Sequence, residues 1–166
     1  MKTLKLILLF VTLGLLMACQ QDKPANSTDE SSPMTDSEGA KQTVLSMHDF
    51  VMTKDLSDSL TFNQWTSFFT PDFLWSGSKG QPPIQMGKDG FKGYRAAFKS
   101  IKASYDGITI DYVDASCNLA YVSYHFHEVV TTLKTNEVDH EVLFSALVTL
   151  KKDDAGKWKI AYLVFS

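Results

Sequence analysis

Apolar positions along this chain change their spacing repeatedly, and each change marks a different kind of segment. From Leu6 to Met17 they form a run broken only by Thr12 and Gly14, and from Gln20 to Lys41 large apolar residues almost vanish. Beyond that, Val44, Leu45, Met47, His48, Val51 and Met52 recur at helical spacing, which predicts a helix from Gln42 to about Lys54 with one apolar side. Phe62, Trp65, Phe68 and Phe69 repeat with the same period, so a second, short helix is expected to run up to Thr70 and stop before Pro71. Phe73-Leu74-Trp75, bounded by Gly77, predicts a brief strand, and Gly80 to Pro83 a loop. Asp89 is placed to cap a third helix, along which Phe91, Tyr94, Phe98 and Ile101 form a stripe. After Tyr105 the period falls to two. Ile108, Ile110 and Tyr112; Ala120, Val122, Tyr124 and Phe126; Val142 through Leu150; and Trp158, Ile160, Tyr162 and Val164 predict four long strands. Turn signals at Asp114 to Asn118, Lys134 to Asn136 and Asp153 to Gly156 are of hairpin length, so the strands should form an antiparallel meander. Helices early and strands late define an α+β fold with the helices covering one sheet face.

The segment before Gln42 calls for different physics. Lys2 and Lys5 precede an apolar run too short to cross about 30 Å of hydrocarbon as a helix, as in an export signal. The run ends Leu16-Met17-Ala18-Cys19, which resembles the lipobox cut by bacterial lipoprotein signal peptidase, with Met17 as a departure. The resemblance implies residues 1–18 as signal peptide, Cys19 as the lipidated residue and membrane contact through its acyl chains. Each buried CH₂ contributes about 0.8 kcal/mol, so two or three chains anchor where one binds reversibly. Gln20 after the cysteine implies the periplasmic side of the outer membrane if the source is Gram-negative. Residues 19–41 are too polar to repay the entropy of ordering and are expected to form a tether. That leaves residues 42–166 as one domain, and 44% hydrophobic and 12% aromatic content is enough for such a length to close a core without a metal or disulfide staple. Cys117 is expected as a small core residue. A formal charge of −3 and the lack of any Lys/Arg run argue against a nucleic-acid partner.

Within residues 42–166 the passage Phe69-Thr70-Pro71-Asp72-Phe73-Leu74-Trp75, the entry Gly87-Lys88-Asp89-Gly90-Phe91, Ala120-Tyr121-Val122 and the ending Gly156-Lys157-Trp158-Lys159-Ile160 resemble the nuclear-transport-factor-2-like superfamily, especially its SnoaL-like and ketosteroid-isomerase-like branches. The resemblance implies a cone: a strongly bent antiparallel sheet wrapped with three helices around an apolar cavity, often dimeric through the outer sheet face. It does not supply the catalytic groups. Where those isomerases carry a base this chain has Leu74 to Ser78, with no carboxylate between Asp72 and Asp89. Their tyrosine lies on the first helix, whereas the first tyrosine here is Tyr94. Where relatives keep a histidine in the last strand, this chain has Val164.

The candidate pocket is therefore aromatic: His48, Trp65, Trp75, Tyr94, Phe98, Tyr112, Tyr124, Phe126 and Tyr162 are the side chains expected to line it. For His48 taken alone the default reading is a satisfied core histidine. His125 and His127 point the same way in one strand, and a hairpin centred between Leu133 and Lys134 would add His140, a trio that zinc or iron can use. The alternative is a solvated or interface face carrying Tyr121, Ser123, His125 and His127. Neither a metal nor a cofactor is expected, and no catalytic residue is assigned. These features predict non-catalytic binding of a small apolar or amphipathic molecule. The alternatives are an isomerase, cyclase or dehydratase using His48 with Tyr112, and a structural dimer through the sheet face.

Overall fold

The computed structural model describes residues 35–77 and 83–166. The expected signal peptide, Cys19, most of the tether and the greater part of the Gly80 to Pro83 loop lie outside the described residues. The first helix, α1, spans Asp36–Thr53, so it claims residues 36–41 from the expected tether. Its start is a capping pattern: the Thr35 hydroxyl accepts from the Glu38 amide at 3.3 Å, and Asp36 and Glu38 put negative charge on the dipole's positive end. Asp36 also pairs with Lys152 Nζ. The face of α1 carrying Ala40, Val44, Met47, His48 and Val51 is buried.

Helix α2 spans Ser59–Thr66, capped by Asp58, whose carboxylate accepts from the Thr61 amide at 2.8 Å. It ends before Phe68 and Phe69, earlier than expected, and Pro71 lies within strand β1, Phe69–Ser76. Pairing of β1 slips between Phe69 and Leu74, and Pro71, lacking an N–H, falls in that slip, where no ladder bond is lost. Strand β2 is only Ile84–Gln85, below the length at which alternation can be read. Helix α3 spans Gly87–Phe98, opening before Asp89, and Ile101 belongs to the next strand. The remaining strands are β3 Ile101–Ser116, β4 Leu119–Thr132, β5 Glu137–Lys152 and β6 Trp158–Phe165.

The six strands run in the order β2-β1-β6-β5-β4-β3 in a strongly curved, unclosed sheet. It is mixed rather than wholly antiparallel, because β1 lies parallel to β6. Bulges set its shape. Asp111 is an extra residue in β3 between the pairs Ile110–Tyr124 and Tyr112–Ser123, and Ala161 is extra in β6 between Leu150–Ile160 and Thr149–Tyr162. Each such residue bends its strand and increases the twist. The concave face buries Val122, Tyr124, Phe126, Val148, Leu150 and Ile160 in one cluster with α1's apolar side. Cys117 is not in that core: it is exposed at the β3–β4 turn with a positive φ of 53°.

Candidate functional site

The cone holds a cavity of about 370 Å³. One side is α1, which contributes Met47, His48 and Val51; Trp65 of α2 and Phe91 and Tyr94 of α3 close over it. The sheet supplies the floor, with Phe73 and Trp75 from β1, Tyr105 from β3 and Tyr124 and Phe126 from β4. At the far strands Phe144, Leu163 and Phe165 complete it. The rings pack mostly edge-to-face or tilted, with Trp65 against Phe69, Phe91 and Phe98 at centroid distances of 5.2, 5.7 and 5.9 Å.

Polar groups enter this apolar wall at two places. His48, only 3% exposed, stands edge-on to Tyr105 at 4.7 Å and shares a 3.0 Å hydrogen bond between Nε2 and the Tyr124 hydroxyl. Its Nδ1 is buried without a protein partner. Burial lowers its pKa to about 4, so at neutral pH it is an uncharged imidazole with one nitrogen unengaged. Burial likewise keeps the Tyr124 hydroxyl protonated. The second place is Glu128 on β4, whose side chain is 19% exposed and whose Oε1 meets His140 Nε2 at 3.2 Å. Tyr105 lines the cavity beside the same carboxylate; burial first, and the Glu128 charge second, push its pKa up. Tyr94 is shifted the same way by burial and then by Glu128. The hydrogen bond to Glu128, with help from Asp139, holds His140 above the ordinary imidazole value.

This architecture recurs in solved structures. A ketosteroid isomerase-like protein from Erwinia carotovora atroseptica superposes with TM-score 0.57 at 19% identity, over 79% of this chain and 95% of that one. An NTF2-like protein with a cystatin-like fold from Novosphingobium aromaticivorans gives 0.52 at 12%, over 78% and 80%. The domain has the nuclear-transport-factor-2-like fold. A conserved protein from Planctomyces limnophilus gives 0.58 at 20% identity, over 76% and 94%. No family model matches the sequence, and no curated protein matches it.

Within the NTF2-like cone, His48, Trp65, Trp75, Tyr94, Tyr124 and Phe126 line the cavity. Phe98, Tyr112 and Tyr162 do not. Phe98 packs between Phe62 and Trp65 and lines a separate hollow with Leu56 and Ile101. Tyr112 is 59% exposed, because the extra Asp111 turns the following side chains over: Tyr112 aligns with Ser123 and Leu147 on the outer face. Ala161 does the same in β6, so Tyr162 aligns with Thr149 and Tyr121 outside while Leu163 and Phe165 face the cavity. The proposed partnership of His48 with Tyr112 is thereby excluded. The three other histidines are separated by register. His127 lies opposite Leu143 and His140 opposite Val130, and each finds its own carboxylate: Asp111 for His125, Glu141 for His127, Glu128 for His140. Among the described residues no group of three potential ligands is assembled for a metal.

Tyr105 and Glu128 are cavity residues that the expected lining omits. The signal for Glu128 is plain: Ala120, Val122, Tyr124 and Phe126 alternate inward, and the next step is Glu128. Tyr105 precedes the alternating series because β3 starts at Ile101, directly after α3. Glu128 gives the lining a carboxylate, which the expected aromatic inventory lacks.

Proposed function

We propose that this chain is a lipid-anchored envelope protein whose NTF2-like domain binds a small apolar or amphipathic molecule. The observation that carries the binding role is the aromatic-walled cavity of about 370 Å³, within the size range of small-molecule sites. The buried, unengaged His48 Nδ1 supports it, since a ligand polar atom is the natural partner for such a group. Native mass spectrometry of the Cys19→Ser chain, purified without added ligand, should show a retained small molecule that is lost when Phe126 is replaced by Trp. A ligand-free spectrum, with no binding to any of the aromatic probes described below, contradicts the proposal.

The anchor rests on the lipobox-like Leu16 to Cys19. Labelled palmitate should enter the wild-type protein and not the Cys19→Ser variant; equal labelling of the two, or none in either, contradicts the anchor.

Two observations favour further roles. Glu128, lining the cavity with a neutral Tyr105, is a proton acceptor near a donor, which supports an isomerase-type reaction in place of passive binding. Turnover abolished by Glu128→Gln with ligand retained would establish it. Leu143, 69% exposed, lies with Tyr121 and Leu147 on the outer sheet face, and such a patch supports pairing with a second copy, which the same mass spectrum reads directly.

A further inference from the structure

We propose that the cavity selects organic cations, amines or quaternary ammonium groups borne on an apolar or aromatic body, in preference to neutral or anionic molecules of the same size. The inference rests on the cavity being a small-molecule site and specifies the charge of what enters it.

Its first support is the charge inventory of the wall. Among the described residues that line the cavity none is Lys or Arg, and His48 is enclosed by the rings of Tyr105, Tyr124 and Phe126, where a proton would be unsolvated. Among the described residues Glu128 is the sole lining carboxylate. An anionic ligand would meet that charge across a poorly screening apolar space, whereas a cation would be drawn to it. The second support is the aromatic surface itself. The faces of Trp, Tyr and Phe are electron-rich and attract an ammonium group by about 0.5–2 kcal/mol, more as water is excluded. Trp65, Trp75, Tyr94 and Tyr105 all contribute to the wall that Glu128 shares.

Position answers the usual objection that burying an ion pair gains nothing. Glu128 keeps 19% of its side chain exposed, so an ammonium head beside it retains part of its water while the apolar body fills the hollow. Glu128 has a competitor in His140, at 3.2 Å. A protonated His140 offsets the carboxylate's charge and a neutral one leaves it available, so cation affinity should rise as pH climbs through the His140 titration. The other groups facing Glu128 do not reverse this. Tyr105 on β3 and Tyr94 on α3 stay neutral hydroxyls across that range, and Asp139 of β5 lies 3.4 Å from His140 Nδ1.

Titration calorimetry on the Cys19→Ser chain with phenethylamine, benzyltrimethylammonium, phenethyl alcohol and phenylacetate tests the proposal. Near pH 8.5 the two cations should bind about tenfold tighter than the alcohol, with phenylacetate weakest. Glu128→Gln should collapse the cation-to-alcohol ratio towards unity. Should that variant fail to fold, the unaltered side chain carries the same test: cation affinity should rise several-fold from about pH 6 to about pH 8.5 while that of the alcohol stays level. Alcohol or phenylacetate binding as tightly as the cations overturns charge selection and leaves the cavity standing as a binding site. Binding of none of the four overturns the selection, and a ligand-free native mass spectrum then overturns the binding site as well.

Discussion

Acidification from about pH 7.5 to about pH 4 is expected to remove about 3 kcal/mol of unfolding free energy through His48 alone. In the folded protein burial lowers this imidazole to about 4 from the ordinary 6.5. Between those values the unfolded chain takes up a proton that the folded one refuses, so stability falls as pH falls; once both states are protonated the contribution is constant. His140 works in the opposite sense, because its folded value is raised: its contribution is full below the unfolded value and is lost as pH rises through the folded one. The comparison that isolates His48 is therefore the pH profile of wild type against His48→Met by urea unfolding. Their difference should be level above about pH 7.5 and close steadily below it. A difference level over the whole range would mean that the imidazole is not buried neutral. Met leaves the Tyr124 hydroxyl without its partner, so the change with pH, and not the offset at neutral pH, is the diagnostic quantity.

Phe126→Ala should lower stability by about 3–5 kcal/mol and the melting temperature by about 10–20 °C. Phe126 is 1% exposed, and its ring touches those of His48, Tyr105, Tyr124, Phe144 and Phe165, which come from five different elements. No neighbour can follow the lost ring inward without leaving the others, so the void persists and merges with the cavity. Thermal denaturation of the Cys19→Ser chain with and without the substitution measures the effect. A shift below about 1 kcal/mol would mean that the walls collapse freely, and that the hollow is not a pre-formed site.

How much of this was legible beforehand depended on whether a strand kept its phase. In β4 the inward series through Tyr124 and Phe126 is uninterrupted as far as Glu128, and period two identifies the cavity floor directly. In β6 the extra Ala161, and in β3 two slips, one between Asp106 and Thr109 and one at Asp111, each move the side chains that follow to the other face, and nothing in the local composition announces it. That is why Tyr112 and Tyr162 have the right residue type for a pocket and the wrong side of the sheet. The helices show the same division. His48 and Trp65 follow from periodicity, since a helix face has no register to lose. Ends are set by individual hydrogen bonds: the Thr35 cap extends α1 beyond its apolar stripe, and the Ser67 amide, bonded to Gln64 and Trp65 carbonyls, closes α2 before Phe69. The three-histidine group failed for a related reason. Its assembly required one hairpin register, and the pairing of His140 with Val130 is another.

Those irregularities in β3 also matter for a property unrelated to ligands. Because the sheet does not close, β3 is an outermost strand of 16 residues, long enough to template a stranger's backbone. Its pairing with β4 is broken at two points, and Lys102, Asp106, Asp111 and Asp114 interrupt its length with charge. A crooked, charged margin is a poor seed for intermolecular β-assembly, so straightening it by deleting Asp111 should make the protein prone to aggregate even where the fold survives.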